Sequence, residues 1–177
     1  MLAINIIFAG FVLTLNGFSL IERAKIDQKV KGAINLTVGI LIAINAIIQT
    51  IIADSMMEFG FAAAMWLFAI NYLILAFHIF LKAESYKAFG LFSGFATIVS
   101  LIFAMHNMYL AITAAEVAAF GIVIIILWFM WAILWLQSFL AMTLEIKWIN
   151  KLSVFILIFN GVLTTFLPGM LMVLGIL

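Results

Sequence analysis

The sequence predicts an all-α integral membrane protein, a single bundle of six transmembrane helices occupying residues 1–177. Three observations carry this reading. Of the residues, 69% are hydrophobic and only 8% are charged, with a mean hydropathy of +1.40. A soluble domain carries roughly 25% charged residues, so this chain cannot cover a surface that faces water. The charges fall in clusters, and between clusters lie apolar pieces of about the 20 residues a helix needs to cross a bilayer. No connection between them is long enough to fold as a soluble domain.

The first span, 2–20, runs from the N-terminus with no basic leader and no cleavage site, and is expected to be retained. The break "IERAKIDQKVKG" separates it from the second span, 33–53. "DSMME" precedes the third, 59–81, and "KAESYK" the fourth, 88–105. "MHNMYLAITAAE" leads to the fifth, 114–142, and "LEIKWINK" to the sixth, 152–175.

Basic residues fix the orientation. Arg23, Lys25, Lys29 and Lys31 lie in the first connection, Lys82 and Lys87 in the third, and Lys147 and Lys151 in the fifth. The second and fourth connections have none, so all eight fall on one side, expected to be the cytoplasm of a bacterial inner membrane. Both termini then face outward. Trp148, beside Lys147, fits the interfacial aromatic belt.

What the spans lack excludes several functions. The acids Glu22, Asp27, Asp54, Glu58, Glu84, Glu116 and Glu145 all lie in connections or at span ends. Proton relays and ion paths are marked by charge at mid-membrane depth, and the nearest candidate is His78, close to a cytoplasmic end. A proton-coupled pump and an ion channel are disfavoured, since no selectivity-filter loop appears. The chain has no cysteine, and its two histidines, His78 and His106, lie far apart, so no metal site or cofactor is expected. No nucleophile–base pair points to catalysis. No basic run points to nucleic acid.

Neutral amides take the place of charge: Asn5, Asn16, Asn35, Asn45, Gln49, Asn71, Gln137 and Asn160. Each has an ordinary reading as a hydrogen bond between helices, worth roughly 1 kcal/mol. Together they also fit a path for a neutral polar solute, because an amide both donates to and accepts from another amide. "VLTLNG" in the first span and "LIFNGVLT" in the last place Asn16-Gly17 and Asn160-Gly161 in matching contexts. Their glycines read as close helix packing.

The fifth span holds "LWFMWAILWL", with Trp128, Trp131 and Trp135. At about 100° per residue the three rings fall within about 60° on one helix face and cover roughly 10 Å of axis. They sit near mid-span, where an interfacial belt cannot explain them. One reading is packing, with the indole N–H groups on bundle carbonyls. The other is a narrow slot whose flat walls pass a planar neutral solute and exclude hydrated ions, whose shells would be costly to strip. Phe68 and Tyr72, one turn apart on the third span, are positioned to form an opposing aromatic wall.

"WFMWAILWL", followed after a basic connection by "FNGVLTTFLPG", resembles the AmiS/UreI family of urea and amide channels. "FVLTLNG" is similar to that family's first helix and "NYLILAFHI" to its third. The resemblance spans the whole chain. It implies a passive channel for urea or a short-chain amide, a membrane-embedded ring of six copies with one pore per protomer, and a functional link to a cytoplasmic urease or amidase. It also implies pore-lining roles for Trp131, Leu134 and Trp135 with Trp128 beside them, for Leu13 and Asn16, and for Phe68 and Tyr72. The acid-activated member carries long histidine-rich external loops and a sixth-helix glutamate in its pore, a position that implies a pore-lining role for Asn160. Here the external loops are short, His106 is the only external histidine, and Asn160 stands at the glutamate position. Glu116 lies about one turn before an entrance acid of the family. The expectation is therefore a channel open at neutral pH and not gated by acid. A secondary transporter of a small neutral solute, and a non-transporting structural protein, stay open beside it.

Overall fold

The computed structural model describes residues 2–113 and 119–177. Helix α1 is Leu2–Phe18, α2 Gln28–Ile52, α3 Met56–Phe80, α4 Lys87–Thr113 and α5 Ala119–Met142. The last span is α6, Lys147–Phe159, then a π-helical segment Asn160–Phe166, then α7, Leu167–Val173. Five stretches are long and apolar enough to cross a bilayer, and α1 is a shorter apolar helix of 17 residues. Large apolar side chains such as Ile51, Ile98 and Phe155 are more than half exposed, on surface that only a lipid or another protein could cover.

Local chemistry sets the helix starts. Asp27 caps α2 by accepting from the backbone N–H groups of Lys29 and Val30. Ser55 caps α3 by accepting from the N–H of Glu58, whose carboxylate in turn accepts from the N–H of Asp54. Because α2 starts at Gln28, Lys29 and Lys31 lie in its first turns and not in a free connection. The fourth connection needs a larger correction. Residues 105–113 continue α4, so His106 and Asn107 sit on a helix. The polar residues there looked like a break, yet Asn107 donates to the Phe103 carbonyl and Thr113 to that of Tyr109, which keeps them within the helix. Glu116 lies outside the described residues.

The helices assemble as three pairs. α2 packs along α3, α4 along α5, and α1 along the α6–π–α7 span. A salt bridge of 3.1 Å joins Lys87 to Glu145, and the Thr143 hydroxyl donates to the Lys87 carbonyl, so the third and fifth connections meet at one end. Leu20 of the first connection and Tyr86 of the third line one cavity at that end, so the basic connections gather there. In the α1 pair, backbones nearly touch: a Cβ on Gly161 would come within 2.8 Å of the Gly10 carbonyl oxygen and of the Thr14 nitrogen. No larger residue fits at that crossing without shifting backbone. The π segment has a local cause. Pro168 lacks an N–H and its ring crowds the preceding turn, so the helix widens. Thr164 and Thr165 then donate to the carbonyls of Asn160 and Gly161, which satisfies acceptors in the widened stretch.

Candidate functional site

At the bundle centre the predicted aromatic residues meet. The Phe68 ring lies 5.2 Å from Trp131, edge-on, and 5.0 Å from Trp135. Trp131 also meets Trp128 edge-on at 5.3 Å, and Trp128 stacks on Phe103 of α4 at 4.8 Å. Phe68, Trp128, Trp131 and Trp135 are all between 1% and 3% exposed. These arrangements suit the ring quadrupole, which favours edge-to-face and offset contacts.

A cavity lies on each side of this cluster. At the basic end is one of about 310 Å³, with Leu13, Asn71, Leu134 and Trp135 nearest the rings. Asn16, Gln137 and Ser153 line its walls, and Lys31, Gln28 and Tyr86 also border it. At the opposite end is one of about 60 Å³, bordered by Met56, Gly60, His106, Asn107 and Trp128. A gap of only about 10 Å³ touches both Trp128 and Trp131. That is about the space a single water requires, so the rings close the path between the two cavities in this conformation.

Hydrogen bonding separates the amides into two groups. Asn16 and Asn35 exchange two bonds, at 3.1 and 3.0 Å, and Asn45 donates to Asn5 at 2.8 Å, so both pairs tie α1 to α2. Asn5 donates in turn to the Met65 sulfur. The Ser153 hydroxyl donates to Gln137 at 2.6 Å, joining α6 to α5. Asn160 donates to the Ile156 carbonyl and accepts from the Thr164 hydroxyl, and it borders none of these cavities. These six side chains have found partners.

Among the described residues, three buried side-chain polar atoms have none. They are the indole N–H groups of Trp131 and Trp135 and the side-chain oxygen of Asn71. Leaving a buried donor or acceptor unpaired costs about 1–3 kcal/mol, so such atoms normally mark a place where something else binds. Trp131 borders the narrow gap, and Trp135 and Asn71 border the basic-end cavity.

Tyr72 stands apart from the opposing wall expected of it. Its hydroxyl donates to the Ala9 carbonyl at 2.8 Å, and it borders neither end cavity. It packs at 6.1 Å against Phe68, which it backs and positions. Asn71, one of the eight amides that fit a solute path in the sequence, borders the basic-end cavity, and so does Lys31, which the sequence did not single out. Asn71 had a signal, since it lies three residues from Phe68 on one helical face. Lys31 looked like one more charge in a basic run.

Over residues 1–176 the chain matches the model of the AmiS/UreI family transporters. It belongs to the AmiS/UreI family. A relative from Mycolicibacterium smegmatis, described as a putative amidate substrates transporter protein, is 28% identical over 173 residues, covering 97% of this chain and 76% of the relative. The fold is similar to that of the Helicobacter pylori urea channel. Against its closed state by electron cryomicroscopy the TM-score is 0.82 at 24% identity, covering 98% of each chain. Against its crystal structure the TM-score is 0.77 at 22% identity, covering 99% of this chain and 98% of that one. The AmiS/UreI chain described here is thus a multi-pass membrane transport protein and not an enzyme.

Proposed function

We propose that this AmiS/UreI protein is a passive channel for urea or a short-chain amide in a bacterial inner membrane, with its basic end in the cytoplasm. The observation that carries the reading is the set of unpartnered atoms at the constriction. A primary amide or urea presents a carbonyl oxygen for the Trp131 and Trp135 N–H groups and N–H groups for the Asn71 oxygen. A planar solute also matches the flat ring faces. A hydrated ion finds no substitute for its shell there, because among the described residues no charged side chain borders the ring cluster. Leu13 and Leu134 form the apolar shoulder beneath the rings, and Asn16 the polar wall of the vestibule. The relative's description and the family fit the same solute class. Six copies forming a ring, each with its own pore, and a cytoplasmic urease or amidase consuming the solute complete the proposal.

The experiment is stopped-flow uptake of urea, acetamide and glycerol into proteoliposomes. Urea or acetamide should enter faster than into plain liposomes, with glycerol excluded. Equal entry of all three, or none above lipid background, would refute the channel.

The closed middle favours a second reading, a secondary transporter that opens one cavity at a time. That protein would saturate at low solute and respond to an imposed ion gradient. The channel would do neither.

A further inference from the structure

We propose that the basic-end cavity also binds a small monocarboxylate on Lys31, and that this anion obstructs the path it cannot pass. The proposal rests on the channel reading above and concerns the regulation of the same site. Lys31 is only 9% exposed and borders the cavity. Among the described residues the salt bridge is that of Lys87 with Glu145, so the Lys31 ammonium has no carboxylate partner there. No acidic side chain lines the cavity. The Asn16 amide on the cavity wall gives one N–H to Asn35 and keeps a second. A buried cation costs free energy unless it is hydrated or paired. The cavity, at about 310 Å³, has room for both water and a small anion.

Shape selects the anion. A carboxylate has nearly the outline of the primary amide from which hydrolysis makes it, when an amide and water give a carboxylate and ammonium. The carboxylate accepts from Lys31 by a charge-assisted hydrogen bond, stronger than a neutral one. It then stops below the rings, where it would lose its remaining hydration. The ammonium formed with it is repelled by the same lysine. A channel that feeds an amide-hydrolysing step would thus slow as the carboxylate accumulates on the cytoplasmic side.

The test compares urea uptake in proteoliposomes equilibrated on both sides with sodium acetate or sodium chloride at equal ionic strength. Each protein is read as its own ratio of uptake in acetate to uptake in chloride, so altered basal flux in a variant cancels. Acetate at its dissociation constant occupies half the sites, so uptake should fall about two-fold there and further above it. The fall should persist in Lys31→Arg and vanish in Lys31→Gln. A wild-type ratio near one with urea uptake intact would overturn the proposal. So would an acetate effect that survives in Lys31→Gln. If Lys31→Gln carries no flux, saturation-transfer NMR of acetate on the purified proteins decides: a signal undiminished in the variant overturns the assignment, and its loss supports it. Absence of urea uptake by the wild type in every medium would instead refute the channel reading.

Discussion

Trp131 and Trp135 each combine two functions that substitution can separate: a flat wall and a single N–H. Trp131→Phe or Trp135→Phe keeps a ring and removes an unpartnered donor. If that donor meets the solute carbonyl, its loss raises the barrier by about 1 kcal/mol, and urea permeability should fall roughly five-fold. Glycerol should remain excluded. Trp131→Ala or Trp135→Ala removes the wall as well, and glycerol permeability should rise while the protein still assembles. Misassembly with unchanged selectivity in the surviving protein would mark the rings as packing only. Asn71→Leu removes the unpaired acceptor and should slow acetamide and urea alike, by a similar factor. Stopped-flow traces of the set decide each case. Tyr72 differs from these residues because its hydroxyl is spent on Ala9. The sequence placed it one turn from Phe68 and on the right helix, but it could not reveal which of two adjacent aromatic side chains faces the path. That depends on the rotation of α3, which its packing along α2 and the Tyr72 bond to Ala9 of α1 set.

Among the elements, the α1 pair is the least tolerant of change. Gly10 and Gly161 oppose each other there, and a side chain at either meets backbone. Gly161→Val should cost about 1–3 kcal/mol by overpacking and lower the melting temperature in detergent. Gly121 is the contrast, since a Cβ there meets nothing within 4 Å. Gly121→Ala should leave the melting temperature unchanged or slightly higher, helix propensity changing by about 1 kcal/mol at most. A larger loss for Gly121→Ala than for Gly161→Val would contradict this account of the pair. Hydropathy located the five long apolar stretches and the shorter α1, yet it ended the fourth at residue 105, eight residues short of Thr113. Composition counts His106 and Asn107 as polar wherever they point. In the fold they border the small cavity at the end opposite the basic connections, which tolerates polar groups.

Taken whole, the bundle joins two cavities through a shut, uncharged segment. Permeation then needs ring movement but no proton or ion, so flux should scale with the solute gradient and ignore membrane potential. Potassium diffusion potentials imposed with valinomycin test this. Rectification or stimulation would point to the coupled transporter instead. Acid should matter little. Moving a two-state gate from mostly closed to mostly open takes roughly 5 kcal/mol, whereas exposed charge pairs contribute about 0–1 kcal/mol each. His106 borders the small cavity opposite the basic end, and it is partly exposed. Urea flux at about pH 7.5 and about pH 5, the range over which histidines usually titrate, should therefore agree closely. A several-fold rise at the lower pH that disappears in His106→Ala would overturn this.

The sequence by itself determined that the chain is helical and membrane-embedded, where its charges cluster, and which aromatic residues are exceptional. These follow from composition and from a period of 3.6 residues, both of which are local. Which polar atoms remain without partners was decided only by tertiary structure. Eight amides look alike in the sequence. Helix pairing then joins Asn16 to Asn35, Asn5 to Asn45 and Gln137 to Ser153, turns Asn160 onto its own helix, and leaves the Asn71 oxygen free beside Trp135. The same packing turned Lys31 from one charge in a basic run into the cation at the cavity. A hydrogen bond needs its partner within about 3 Å, and only the packed bundle sets that distance.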